Sequence, residues 1–512
     1  MVNAKRIIGR AIVFIFFVSL ALGIYVYKYI DSQLSLMYGG ETLQALNIVD
    51  DKSPSSLVIR NVNVLSESCD KFLESVDVYI KDGFIHSLES TGESLSSANE
   101  LDGTGRFLIP GLTDSHVHLW KSENDLLLYL INGVTQIREM NGSLENLRWK
   151  KEIVNGERIG PDMFVASPQI ASFRPGVGWF SGWTQNKINA VSKEDFLKAV
   201  KNIEKQGYDA IKVSSMMASH QYSKLIDAAE KSNKPVIGHY PYFGELENVF
   251  EGHQEELSHV EEITKSLRSK YGYTIENADG FLEYVRREVD DISIKLLENN
   301  IHVTSTVALI EGLSEQVVDV DQMLSSNKIE YVNPGILEGT EMADRALGWL
   351  PNVNRYRLEK EISSAQRDGE IKYFSDYANA NRLVFSSLLK VGVPIMAGTD
   401  ANVSPMVPGF SMHRELEVLV DLGMTPSQAI CSATKVPAKW FVENVGAVAK
   451  GNKANLILLA SNPLEDISNT SSINTVILGG KIFEKSDLEK MANSVLDANN
   501  NSRKVDLSKW VH

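Results

Sequence analysis

Between Leu112 and Ala397, short apolar runs alternate with amphipathic stretches, and this alternation restricts the fold more than any other property of the chain. Met163 to Ala166, Ala210 to Val213, Pro235 to Gly238, His302 to Val307 and Val393 to Ala397 are apolar enough for buried strands, while Ser192 to Gly207 and Gln221 to Asn233 space their apolar residues as helices do. Strand followed by helix, many times over, makes βαβ units around a parallel sheet covered on both faces. Outside this stretch the pattern changes. Leu57 to Val64 and Val76 to Ile80 alternate apolar with polar, and Lys81-Asp82-Gly83 is a hairpin turn signal. Ala454 to Leu459 and Thr475 to Leu478, closed by Gly479-Gly480, read the same way, so antiparallel signals occur only at the two ends of the folded part.

The first 30 residues stand apart. Lys5, Arg6 and Arg10 precede the uncharged run Ala11 to Tyr27, which Lys28 closes. With Ile7, Ile8 and Gly9 added, the segment reaches the ~20 residues that a bilayer core requires. Apolar residues continue past the fair cleavage match at Ala21-Leu22-Gly23, which favours an uncleaved anchor over a signal peptide; a secreted or periplasmic product after cleavage is the alternative. The basic start predicts a cytoplasmic N-terminus with everything after Lys28 on the far side of the membrane. Residues 31–55 read as a polar tether and 486–512 as a polar tail.

Ten histidines make that residue informative, and two cysteines exclude a thiolate-rich metal cluster, so a metal must be held by His and carboxylates. Cys69 and Cys431 are expected to be buried thiols. His116 and His118, two apart on a strand, face one side. Lys212, His239, His259 and Asp400 each follow or end an apolar run. Active sites of parallel α/β barrels are assembled from such strand ends. Arg138 is expected to be an ion-pair partner inside the fold.

Leu108-Ile109-Pro110-Gly111-Leu112-Thr113-Asp114-Ser115-His116-Val117-His118, Gly133 to Met140, Ala397-Gly398-Thr399-Asp400-Ala401, Pro408 to Leu416 and Asn462 to Ile467, in this order, resemble the amidohydrolase superfamily, and more narrowly its imidazolonepropionase-like and Xaa-Pro dipeptidase-like branch. The resemblance covers about Leu57 to Phe483. It implies an α/β fold with a distorted (β/α)8 barrel over 111–444 and a composite β-sandwich from 56–110 plus 445–485, which the transmembrane helix read over 1–30 would precede. It also implies two divalent metal ions, most simply Zn²⁺: His116, His118 and Asp400 would hold one, His239 and His259 the other, with an N6-carboxylated Lys212 bridging them. The reaction would be amide or peptide hydrolysis by an activated water, with Asp400 as general base and acid.

Deaminases of the superfamily tend to carry Glu where this chain has Tyr242 and to lack the lysine, so deamination and cyclic amide or lactone hydrolysis rank second. A non-catalytic membrane-tethered scaffold should have lost a ligand, and all six are present. Tyr240, Tyr242 and Arg174 are the expected substrate contacts, Arg174 through a substrate carboxylate. Residues 311–377 exceed what the βα units require and read as a helical lid or as surface decoration. A formal charge of −15 excludes nucleic acid as a partner but does not identify the substrate. The resemblance implies a small amide or short peptide substrate, the N-terminal helix implies the lipid bilayer, and a homo-oligomer is a further expectation.

Overall fold

The computed structural model describes residues 2–46, 54–91, 99–242, 245–252, 254–340, 348–359, 361–441 and 444–511, so 47–53 of the expected tether and 341–347 of the expected insertion lie outside the described residues. The chain opens with the helix Val2–Met37. Its residues Ile8–Met37 are long and apolar enough to cross a membrane and have no buried apolar window, a signature shared by spans and signal sequences.

Five strands follow: β1 (Ser56–Leu65), β2 (Phe72–Lys81), β3 (Phe84–Ser90), β4 (Glu100–Asp102) and β5 (Phe107–Pro110). Ten parallel strands come next: β6 (Leu112–Val117), β7 (Val134–Glu139), β8 (Asp162–Val165), β9 (Gln169–Ala171), β10 (Lys187–Asn189), β11 (Ile211–Val213), β12 (Val236–Gly238), β13 (Glu256–Leu257), β14 (His302–Thr304) and β15 (Ile395–Met396). The last three are β16 (Leu456–Leu459), β17 (Ile473–Leu478) and β18 (Lys481–Glu484).

One sheet is built from both ends of the chain, in the order β18-β17-β16-β5-β1-β2-β3 with β4 beside β1. Its two hairpin turns are those legible in the sequence. Asp82 and Gly83 have φ of 51° and 82°, and Gly479 and Gly480 have 56° and 81°, the paired positive values that match strand twist in a two-residue hairpin. The parallel strands form a three-stranded sheet, β6-β7-β8, and a seven-stranded one, β10-β9-β11-β12-β13-β14-β15. Parallel bridges Val117 to Ala401 and Ala166 to Ala210 tie the two together. Strands β6, β7, β11, β12 and β13 are buried at every residue, so the polar side chains they carry, Asp114, His116, Arg138, Glu139, Lys212 and Glu256 among them, are held inside the fold. The helix Lys193–Gln206 lies where its periodicity put it, capped by a reciprocal Ser192–Asp195 pair and ended by Gly207 at φ 86°.

Three expectations are corrected. Residues 31–46 are not a loose tether: the first helix continues to Met37, and Gln33 accepts from Thr340 Oγ1 at 2.9 Å while Tyr38 donates to the Thr184 carbonyl at 2.8 Å. Residues 486–502 are no tail but a helix, Lys485–Ser502, whose Leu488, Met491 and Val495 pack with Leu127, Leu128 and Phe483. Their spacing is helical, and mean polarity hid it. Finally, Cys69 and Cys431 are not free thiols: 362 residues apart, they form a disulfide with Cα atoms 6.1 Å apart. Sequence separation carried no information because the terminal sheet folds both ends of the chain together. Cross-linking so long a loop restricts the unfolded chain, so Cys69→Ser is expected to cost about 3 kcal/mol. Urea unfolding with and without reductant checks this; coincident midpoints would refute it.

His413, on the helix Phe410–Asp421, supplies a pH-dependent term. It is buried, with Nδ1 3.0 Å from Thr470 Oγ1, and burial pulls its pKa down from 6.5 to about 4. Between these values the unfolded chain binds the proton more tightly. The stability contribution is therefore present above pH 6.5 and lost as pH falls toward 4, reaching about 2 kcal/mol at pH 5. His413→Asn should lose less stability than the wild type between pH 7 and pH 5 by that amount; equal losses in denaturant titrations would count against it.

Candidate metal centre

Six predicted side chains come from five different strand ends. His116 and His118 belong to the end of β6, Lys212 to β11, His239 follows β12, His259 follows β13 and Asp400 follows β15. The four imidazoles form a chain with ring centroids 5.2 Å apart for His118 and His116, 4.4 Å for His116 and His259, and 5.3 Å for His259 and His239. Asp400 Oδ1 lies 3.4 Å from His116 Nε2 and 3.1 Å from His118 Nε2. Lys212 is fully buried, and its Nζ donates to Ser258 Oγ at 2.6 Å.

Glycine permits this convergence at two places. A Cβ on Gly398, two residues before Asp400, would meet the His116 backbone nitrogen at 2.9 Å. One on Gly238, at φ 121°, would meet the Val213 carbonyl oxygen at 2.7 Å and Lys212 Cδ at 2.9 Å. Strain gathers in the same place: Trp120, Thr306, Asp400 and Asn402 all have positive φ, which is costly for residues with a Cβ and typical of functional sites. Asp400 is held there by its own N–H, which donates to the His116 carbonyl at 2.8 Å. Buried Asp114 helps by accepting from Thr399 N at 3.0 Å and Thr399 Oγ1 at 2.6 Å.

The orientation of the rings decides what they can bind. His116 Nδ1 meets the Ser258 carbonyl at 3.2 Å, His239 Nδ1 meets Glu262 Oε1 at 3.1 Å and His259 Nδ1 meets Thr306 Oγ1 at 2.9 Å. The carbonyl and the carboxylate can only accept, so Nδ1 of His116 and of His239 carries the proton and Nε2 keeps its lone pair, the arrangement of metal-ligating histidines. Burial holds His116 and His259 well below the usual imidazole pKa, hence neutral. His118 differs: against its burial, contacts with Asp400 and Glu139 raise it to about 9. At 3.7 Å, Glu139 acts on His118 Nδ1 through charge and not through a hydrogen bond. Asp400, in spite of burial, is kept far below the carboxylate range by His118, His259 and Lys212, and burial lowers Lys212 to about 8.

A metal fits these residues. Buried His116 Nε2, His118 Nδ1 and Asp400 Oδ1 have no hydrogen-bond partner, and His116, His118 and Asp400 each offer a ligand atom within 4.8 Å of the others. Buried polar atoms without a partner are costly unless something satisfies them. Neutral imidazoles with carboxylate are a donor set for Zn²⁺ and similar divalent ions.

The predicted substrate residues are less concentrated. Tyr240 is buried beside the centre, its N–H donating to Glu262 Oε2 at 3.1 Å, and Tyr242 is 41% exposed. Arg174 stands exposed at the start of the helix Pro175–Gln185, apart from the buried groups. Sequence reasoning missed Glu262, Glu139, Thr306 and the Ser258 carbonyl, which orient the imidazoles. Glu262 had a signal, an acid three residues after His259; Glu139 and Thr306 act through side chains that only the fold aims at the rings, and Ser258 through its backbone carbonyl. Tyr356 was also missed. Burial pushes the pKa of its phenol up, and it lines a cavity of about 30 Å³ with Trp120, Arg355 and Asn402. The ring of Trp120 stacks on His118 at 6.2 Å.

The amidohydrolase family profile matches residues 107–483. Adenine deaminase 3 of Rhizobium johnstonii is 25% identical over 209 residues, 39% of this chain and 34% of that one, so the chain spans about a third of that relative's length. Imidazolonepropionase of Thermoplasma volcanium is 22% identical over 440 residues, 81% of this chain and 91% of the relative. A solved Xaa-Pro dipeptidase with bound methionine in the active site shares the fold with a TM-score of 0.60 at 18% identity, over 84% of this chain and all of that one. With the profile spanning well over half of its length, the chain belongs to the amidohydrolase family.

Proposed function

We propose that the protein is a membrane-anchored, binuclear metal-dependent hydrolase that cleaves an amide or peptide C–N bond in a dipeptide or N-acyl amino acid type of substrate. The observation that carries this is the meeting of four imidazoles, Asp400 and Lys212 with inward acceptors left unpartnered. His116, His118 and Asp400 would hold one ion and His239 and His259 the second, with carboxylated Lys212 between. Bound divalent ions, most simply Zn²⁺, supply Lewis acidity toward a carbonyl oxygen and lower the pKa of water. Asp400 accepts a proton from the attacking water at its carboxylate and returns it to the leaving nitrogen. Glu262, Thr306 and the Ser258 carbonyl keep the imidazoles aimed. Tyr240 and Tyr242 line the side of His239, and Tyr356 supports reading 311–377 as a lid that excludes water.

The architecture inferred with this function is a distorted (β/α)8 barrel: β6, β7, β8 and β11 to β15 make eight parallel strands, and the bridges Val117–Ala401 and Ala166–Ala210 lie where closure requires them. The terminal sheet would form the composite β domain. An extracytoplasmic location is supported by the disulfide, which persists in oxidising compartments.

Metal analysis of the full-length protein, with a screen of dipeptides and N-acyl amino acids, tests this reading. Metal-free protein that hydrolyses none of them would overturn it. Deamination is the second reading, favoured by the adenine deaminases among the relatives and distinguished by ammonia release from adenine. Carboxylation of Lys212 predicts a carbamate signal after growth with carbon-13 bicarbonate, absent from Lys212→Ala; an identical spectrum in both would exclude it.

A further inference from the structure

The helix Pro175–Gln185 is inverted relative to an ordinary surface helix. Its small residues Gly178, Ser181 and Thr184 are buried, and a Cβ on Gly178 would meet Asn189 Nδ2 at 2.1 Å, so this face sits directly on the domain. Its large apolar residues point outward instead: Val177 is 52% exposed, Trp179 64% and Phe180 52%. Surface helices turn apolar stripes to the core, and contiguous exposed apolar residues mark an interaction site.

Its position identifies the partner. From Ile8 to Tyr27 the first helix rises about 30 Å at ~1.5 Å per residue, the thickness of a bilayer's hydrocarbon core, which places Tyr27 at the membrane interface. The helix Pro175–Gln185 lies at that level. Trp183 stacks on Tyr27 with centroids 4.9 Å apart and donates from Nε1 to Asp31 Oδ1 at 3.0 Å. Trp179 and Phe180 continue the aromatic group, 5.5 and 6.3 Å from Trp183. Amphipathic aromatic rings concentrate where hydrocarbon meets headgroups. The first helix is also fixed to the domain through Gln33 and Tyr38, so the level is set by packing and not by a loose linker.

We infer that Val177, Trp179 and Phe180 form a second membrane contact that inserts into the bilayer interface beside the N-terminal helix. It lies in the plane of the interface, and exposed Arg174 at its start is placed to meet lipid phosphate. Asn186 Nδ2 donates to the Asn141 and Gly142 carbonyls at 3.2 and 3.0 Å, so the helix is joined to the loop that follows β7, the parallel neighbour of the histidine-bearing β6.

The inference rests on the N-terminal helix being a retained membrane span, and the test separates the two. The chain has two cysteines and both are in the disulfide, so V177C introduces a single labelling site in the full-length protein, with F180C as a second and I15C as the anchor control. Each variant is labelled with a polarity-sensitive fluorophore and reconstituted in phosphatidylcholine vesicles with or without brominated lipid. Bromolipid is expected to quench I15C and to quench V177C or F180C by about twofold. Quenching of I15C alone, with the helix labels open to aqueous iodide, would overturn the inference while the anchor stands. Labels shielded from iodide without lipid quenching would assign this face to a second copy and also overturn it. No lipid quenching at any position would remove the span and the inference together.

Discussion

His116→Ala and Asp400→Asn are each expected to lower kcat/KM for the amide substrate at least about a thousandfold, or about 4 kcal/mol of transition-state stabilisation. The two losses have different origins. His116 is central: its ring is the neighbour of both His118 and His259, and its Nε2 is a buried acceptor with no partner. Without it the Ser258 carbonyl also loses its donor, so His116→Ala should lower bound metal as well as turnover. Asp400→Asn keeps the shape and one ligand oxygen but has no carboxylate to take a proton from water. It should retain more metal than His116→Ala while being equally slow. Metal analysis and turnover on the same samples, with thermal unfolding to verify the fold, separate the two. Wild-type metal content and turnover in both variants would mean that this cluster is not where the reaction occurs.

What could be read from the residues alone follows from how local each signal is. The hairpin turns at Asp82-Gly83 and Gly479-Gly480, the capped helix Lys193–Gln206 and the placement of all six polar groups at strand ends are written in short stretches, because φ preference, helical spacing and strand burial act over a few residues. The disulfide is not local, since it depends on the terminal sheet bringing residue 69 to residue 431. The ring-orienting partners were hidden for a similar reason. A backbone carbonyl such as that of Ser258 has no identity in sequence, and Thr306 matters through a left-handed φ that its side chain disfavours. The helix Lys485–Ser502 was legible, but its average polarity concealed a periodic apolar face. Tyr356 was not legible, because nothing local shows which residues of an insertion turn toward the site.

Removing one partner of the buried Arg138–Glu256 pair is expected to cost about 4 kcal/mol, the largest single stability loss predicted here. Arg138 on β7 and Glu256 on β13 are both fully buried, with Nη2 and Oε1 3.4 Å apart. At an effective dielectric of about 20 that separation corresponds to about 5 kcal/mol of attraction, set against the desolvation of two ions. The surroundings favour keeping both. Glu256 accepts from Thr304 Oγ1 at 2.6 Å, Gly238 N at 3.2 Å and Ser258 Oγ at 3.3 Å, and the guanidinium lies over Trp440 with 4.7 Å to the ring centroid. Arg138→Met leaves a buried carboxylate without its cation; Glu256→Gln leaves a buried guanidinium without its anion. The double variant leaves neither charge, so its loss should fall well below the sum of the single losses, by about 2 kcal/mol or more. Urea unfolding of the four proteins closes the cycle, and strictly additive losses would show that the two charges do not depend on one another. Glu256 also touches Ser258, which receives the Lys212 hydrogen bond and whose carbonyl orients His116, so Glu256→Gln should slow turnover more than Arg138→Met at equal stability.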